Sequence, residues 1–375
     1  MADFSIVAVV LVALFFDFTN GFHDAANSIA TSVSTRAIAP RPAVLMSAVL
    51  NVAGAFISIE VAATVAKGIV VPDVITPSIV LAGLVGAISW NLVTWYFGLP
   101  SSSSHALIGG VLGSAVAASG FDVVQWAGLR EKVLVPSLLA PFLGIAGAAV
   151  IMVGLIWVIR RRSPGLVNRV FRRLQLVSGG FVAFTHGTND AQKTMGIIAL
   201  ALVAGGHLDS DFSRPPTWVI VSAAVAMGAG TYAGGWKIIK TLGSRIAKLD
   251  PPRGFAAQSA CATILYMTAH YGFPVSTTHT ITGSVLGAGM TRRLNAVRWG
   301  LAGNILIAWV ITIPLAALVG ALMETVTRVP TVGTVLVFLI AIAIAIAAFI
   351  ARGRQAAAER RQIAGVTAEP SAVTA

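Results

Sequence analysis

Residues 185–193 read Thr185-His186-Gly187-Thr188-Asn189-Asp190-Ala191-Gln192-Lys193, and residues 19–27 read Thr19-Asn20-Gly21-Phe22-His23-Asp24-Ala25-Ala26-Asn27. The two stretches align without a gap: Thr185 answers Thr19, Gly187 answers Gly21, Asp190 answers Asp24 and Ala191 answers Ala25. Each plants one carboxylate in an otherwise apolar run. An ionisable side chain there costs at least roughly 2.5–3.5 kcal/mol, so a solvated path or a bound ion is the default explanation. A second polar motif also occurs twice and in the same order: Gly98-Leu99-Pro100-Ser101-Ser102-Ser103-Ser104-His105, then Gly272-Phe273-Pro274-Val275-Ser276-Thr277-Thr278-His279. Two different motifs repeated in one order make an internally duplicated chain.

The surrounding composition fixes the environment. Of 375 residues, 56% are hydrophobic and 11% charged, far more apolar than a soluble domain. The chain is therefore an all-α integral membrane protein. Its net charge of +12 does not point to nucleic acid, because the basic residues lie in short loops and in the C-terminal tail, as membrane topology requires. Cys261 is the single cysteine, so no disulfide framework exists within the chain. No Lys or Arg precedes the first apolar run, which argues against a cleaved signal. No nucleophile with a matched base and no metal-ligand cluster stands out, so an enzyme is not expected.

A crossing needs about 20 apolar residues. Residues 4–35 are too long for one and are interrupted at Asn20–Asp24, which reads as a broken helix; 42–66 return across the membrane. Residues 78–119 read as a re-entrant hairpin, because Leu99-Pro100-Ser101 is too short and apolar for a solvent loop. Residues 134–159 cross again to a basic linker at 161–173. The second half repeats the plan: a broken helix at 174–204, a crossing at 217–236, a hairpin at 255–290, then crossings at 296–323 and 332–351. Equivalent loops carry opposite charge, Arg36 and Arg41 against Asp209 and Asp211. This implies two inverted-topology repeats, 1–160 and 174–351. Twenty basic residues then fall inside, against Lys67, Arg130, Lys132, Arg214 and Arg328 outside. That bias places the N-terminus outside and the C-terminus in the cytoplasm. The tail, 352–375, is expected to be disordered.

Pro100 and Pro274 read as the first residues of half-helices. Ser101, Ser102, Ser103, Ser104, Ser276, Thr277 and Thr278 would then bring hydroxyls to helix starts rich in free N–H groups, an anion site in each half. A plainer reading has these hydroxyls only cap buried helices. Lys193 is the one basic residue well inside an apolar run; it pairs with Asp190 one turn away or meets the anion. Gln192 joins it among the anion-binding candidates. His105 and His279 are expected to make a structural hydrogen bond across the hairpins.

The four segments in this order resemble the PiT family of inorganic phosphate transporters, over nearly all of residues 4–350, and most of all its bacterial low-affinity members. The resemblance implies a secondary transporter of the plasma membrane that carries phosphate, alone or as a divalent metal complex, without a cofactor. A homodimer is left open, and lipid is the other expected partner. The coupling-ion candidates are Asn20, His23, Asp24, Asn27, Asn189 and Asp190. Asn20, Asn27 and Asn189 offer amide oxygens, as do unwound backbone carbonyls, and the family uses such ligands for Na+. This chain departs from the Na+-coupled pattern at His23, where relatives carry Asn. Histidine has no oxygen for Na+ but exchanges protons near neutrality, so H+ is the expected driving ion. A sulfate or other oxyanion permease is the alternative, disfavoured because sulfate has no proton to offer a nearby carboxylate.

Overall fold

The computed structural model describes residues 2–209 and 212–367. Asp211 and the last residues of the tail lie outside them. The first half comprises α1 (Ala2–Ser34), α2 (Pro40–Gly54), α3 (Glu60–Lys67), the hairpin of α4 (Pro77–Phe97) and α5 (Ser103–Ser119), and α6 (Trp126–Gly128), which leads through a π-helical stretch into α7 (Val135–Ile159). The second comprises α8 (Pro164–Ala204), α9 (Thr217–Ala233), α10 (Trp236–Lys240), the hairpin of α11 (Pro251–His270) and α12 (Thr277–Met290), and α13 (Trp299–Thr327); α14 (Gly333–Thr367) follows. Among the described residues, five helices are long and apolar enough to cross a membrane, or six if the bent pair Thr217–Ala233 and Trp236–Arg245 is counted as one span. Large apolar side chains such as Leu138, Phe142, Val150 and Val310 stand exposed on the outer faces of α7 and α13. Bare apolar area on this scale marks a membrane- or partner-facing surface.

The halves exchange partners. Helix α1 packs along α9 while α2 packs along α8, and the α4–α5 hairpin lies on α13 while α11–α12 lies on α7. Glycines set these contacts at backbone distance. A Cβ on Gly54 would stand 2.0 Å from the Phe184 carbonyl oxygen, and one on Gly230, 2.1 Å from that of Phe18. On the hairpins, Gly113 meets the Ala317 carbonyl and Gly287 meets that of Ile145 in the same way. Each contact thus recurs between the equivalent residues of the other half, which small residues permit in a bundle without a hydrophobic driving force. Isolated bridges close the feet of the hairpins, Val70 with Val124 and Ala247 with Val297. The two ends of each hairpin therefore lie side by side.

Four expectations are corrected. Helices α1 and α8 run unbroken through Asn20–Asp24 and Thr185–Asp190. Neighbouring side chains satisfy most of the polar groups of the motifs, and Gly21 and Gly187 serve close approach, to Met227 and Asn51 respectively, rather than a break. No unwound carbonyls are therefore offered there. The breaks lie one element later: the crossing expected over 42–66 is split between α2 and α3, and α9 bends by 64° into α10. The linker at 161–173 is largely the first turns of α8, opened by Pro164 at a favoured position. Finally, α14 continues to Thr367, because the Ala, Arg, Gln and Glu of the tail are strong helix formers.

Two apolar cores flank the motifs. One gathers Val9, Val12 and Phe16 of α1 with Met195 and Ile198 of α8, and the other gathers Phe22 and Ile29 with Val182. The antiparallel pair α1 and α8 thus carries a polar layer between two dry ones.

Candidate functional site

In that layer the two hairpin tips meet the middles of α1 and α8. The helix starts are set by serine. Ser102 and Ser276 are the N-caps, extended in backbone, and their hydroxyls accept from the amides of His105 (3.1 Å) and His279 (3.3 Å). Pro100 and Pro274 therefore precede the caps instead of opening the helices, and serve the turns. By the geometry of any helix start, the first-turn N–H groups of Ser103, Ser104, Thr277 and Thr278 have no intrahelical acceptor. They also lie at the positive ends of the helix dipoles.

Asp24 sits opposite the first tip. His23 Nδ1 lies 2.7 Å from Asp24 Oδ1, Ser103 Oγ donates to Asp24 Oδ2 at 2.9 Å, and Thr278 Oγ1 of the other tip donates to Oδ1 at 3.3 Å. The far side of the His23 ring, Nε2, is 3.1 Å from Thr94 Oγ1 and 3.3 Å from Ser101 Oγ, and Ser101 donates to Thr94 at 2.7 Å. Asn27 Nδ2 donates to Thr278 Oγ1 at 3.0 Å. One carboxylate thus touches both tips through hydroxyls.

Asp190 is held more firmly. Lys193 pairs with it, donates to Ser104 Oγ at 2.5 Å and to the Val275 carbonyl at 3.0 Å. All three ammonium protons are used, and Asp190 is the charged partner of Lys193 here. His186 Nε2 lies 3.0 Å from Asp190 Oδ2, and its Nδ1 is 3.1 Å from Asn51 Oδ1. Thr277 Oγ1 is 3.5 Å from Asp190 Oδ1. Ligand atoms of Asp24, His186 and Asp190 all lie within 4.8 Å of one another, and the three residues are buried. Two carboxylates so close in a buried polar layer repel unless positive charge lies beside them, and the Lys193 ammonium supplies one such charge.

The remaining candidates divide. The amide oxygens of Asn20, Asn27 and Asn189 have no hydrogen-bond partner, so they are free to accept from a cation; Asn189 Nδ2 donates to the Phe273 carbonyl. Gln192 turns away from the anion candidates. Its Oε1 accepts from Val61 N at 2.9 Å and Ala62 N at 3.3 Å, and so closes the start of α3 after the break. His105 and His279 do not hydrogen-bond across the tips: their rings meet edge to face at 4.7 Å, and His279 stacks on Trp309 at 3.9 Å. Sequence reading missed His186, which stood inside the motif, and Thr94, whose proximity to His23 only the packing of α4 on α1 creates.

The profile of the phosphate transporter family matches residues 20–320. The chain is 52% identical to a probable low-affinity inorganic phosphate transporter of Mycobacterium bovis over 85% of its own length and 76% of the relative's. It is 50% identical to one of Rhizobium meliloti, over 84% and 95%. In fold it is similar to a solved structure titled as the sodium-dependent phosphate transporter, with a TM-score of 0.80 and 24% identity over 87% of this chain and 99% of that one.

Proposed function

The chain belongs to the phosphate transporter family, and from that premise we propose that it imports inorganic phosphate across the plasma membrane by symport with a cation, in an alternating-access cycle. The observation that carries this reading is the convergence of two helix starts, one from each half, on Asp24, Asp190 and Lys193 in the interior. Backbone N–H groups and helix dipoles favour a dispersed oxyanion charge there. Ser103, Ser104, Thr277 and Thr278 now bond to the carboxylates and to Lys193. Re-aimed at a phosphate, they would link the anion directly to the groups that hold the cation. Hydrogen phosphate tolerates the carboxylates through its own proton; sulfate lacks one, which keeps an oxyanion permease of other specificity second.

The driving ion in this proposal is H+, carried on the His23–Asp24 contact. The orphaned oxygens of Asn27 and Asn189 favour a second reading, in which the second half retains a Na+ site. The reciprocal glycine contacts and the positive-inside bias support two inverted repeats, 1–160 and 174–351, with the N-terminus outside. Phosphate uptake into proteoliposomes, with H+ and Na+ gradients imposed separately, is the test. Uptake driven by the pH gradient with Na+ replaced by choline is expected; uptake that needs Na+ and ignores pH would replace the proton by Na+.

A further inference from the structure

Behind the hairpin tips, a cavity of about 580 Å³ lies between α7 and α13, with His105 of α5 and His279 and Thr282 of α12 in its wall. Leu138, Phe142, Leu306 and Val310 also line it and stand exposed, so the cavity opens on the apolar outer surface. Its polar lining is a cluster of buried side chains: His105, Ser137, His279 and Thr282. In each of them a polar atom, Nε2 of the two histidines and the hydroxyl oxygen of the other two, is buried without a hydrogen-bond partner. Neighbouring hydroxyls on α12 show the usual alternative. Thr280 donates to the Ser276 carbonyl and Ser284 to that of Thr280, whereas Thr282 between them bonds to nothing. The first hairpin has Ile108 at the matching place, so the fold itself needs no hydroxyl there. Trp309, stacked on His279 at 3.9 Å, has its N–H committed to the Pro100 carbonyl and offers the cavity only an apolar ring. Buried polar groups are almost always paired, so four orphans in one cavity wall ask for a ligand. A water molecule would satisfy some of them and leave the apolar remainder of the cavity unfilled.

We propose that this cavity binds a single-chain amphiphile with a carboxyl head, a long-chain fatty acid. The volume is that of a small-molecule site, and the mix of apolar wall and few polar groups is what such sites present. A neutral carboxyl group both donates and accepts, so it meets an imidazole nitrogen in either tautomer while accepting from the two hydroxyls. An ester head accepts only and leaves any hydrogen-bond acceptor among the four unmet. Being neutral, the acid also brings no charge into the membrane interior, where charge is costly. Its tail lies along Leu138, Phe142, Leu306 and Val310 toward the outer surface. A phospholipid does not fit in the same way: its head stays about 15 Å from the midplane of the hydrocarbon core, and its tails carry no polar atom to the tips. A ligand here touches both hairpins and the two helices they lie on, and so reaches the supports of the tips without entering the polar layer.

The test is photolabelling of the purified full-length protein in phosphatidylcholine vesicles with a diazirine analogue of palmitate, the labelled peptides being mapped by mass spectrometry. Label is expected on α7 and α13 at the cavity. Excess palmitate should suppress it, and methyl palmitate should do so only at about ten-fold higher concentration, the worth of the hydrogen bonds that the ester cannot make. Ser137→Ala combined with Thr282→Val removes hydroxyls that bond to nothing within the protein, so the variant should fold, and acid and ester are expected to compete more nearly alike. Gly303 lines the cavity, and a Cβ there meets nothing within 4 Å. Gly303→Phe therefore fills the space without a backbone clash and should abolish the label that palmitate suppresses. Label that excess palmitate leaves unchanged, equal competition by acid and ester in the parent, or parent-like labelling of a monodisperse Gly303→Phe protein would overturn the site. So would a parent whose α7 and α13 crosslink to a second copy of the chain and take no label.

Discussion

Asp24 and Asp190 hold equivalent places in the two repeats, yet their surroundings differ in charge. Asp24 is met by an imidazole and by hydroxyls of both hairpin tips, while Asp190 is also clamped by the ammonium of Lys193, where the first copy has Asn27. The imidazole and the amide trade places between the copies: Asn20 and His23 in the first answer His186 and Asn189 in the second. Each carboxylate therefore keeps one imidazole within 3.0 Å, from the preceding residue in one case and from one helical turn away in the other. Both copies thus hold an acid with an imidazole beside it, the imidazole standing at different positions of the motif. What separates the copies is a fixed positive charge: Asp190 is paired with an ammonium and Asp24 is not.

That contrast is broken most severely at the carboxylates. Asp190→Asn should strand the Lys193 ammonium in a dry layer and cost about 3–5 kcal/mol of stability, as removing one partner of a buried pair does. Asp24→Asn should stay folded and lose concentrative phosphate uptake. Thermal unfolding in detergent, read beside uptake, checks both, and near-normal stability of Asp190→Asn would show that the ammonium has another counter-charge. The double variant Asp190→Asn with Lys193→Met should regain stability without regaining uptake.

The exchanged imidazoles supply a sharper comparison. His23→Asn gives the first copy the Asn-Asp pair of the second, and its uptake is expected to lose response to the pH gradient and gain dependence on Na+. Uptake at fixed membrane potential, with choline as the Na+ substitute, measures this. A variant that keeps the parent's pH response would reduce His23 to a packing residue.

Smaller effects separate the hydroxyls by position. Ser103→Ala and Thr277→Ala remove groups that bridge tip and carboxylate and should weaken apparent phosphate affinity about ten-fold, the worth of a hydrogen bond to a charged partner. Saturation curves of uptake will show it. Ser102→Ala and Ser276→Ala instead remove helix caps. They should cost about 1 kcal/mol of stability each, with a smaller change in affinity. Equal affinity losses across all four variants would mean that the caps contact the anion too.

Much of this molecule was legible before any coordinates. The duplication, the membrane setting, the two hairpins and the candidate residues Asp24, Asp190, Ser103 and Thr277 all follow from motif order and apolar run lengths. Those are local properties, fixed by helical rise and by the cost of polar groups in lipid. Only tertiary structure decided whether the motif helices break. A polar run in an apolar helix unwinds or stays wound according to what its neighbours offer, and here Asn51, Thr94 and the hairpin tips supply partners to α1 and α8. The same holds for Lys193, whose ammonium had two acceptable partners by spacing and one by packing. It holds also for the exchange of halves, since residues such as Gly54 and Phe184, or Gly230 and Phe18, are brought together by a fold whose pairings lie far beyond the reach of any local pattern.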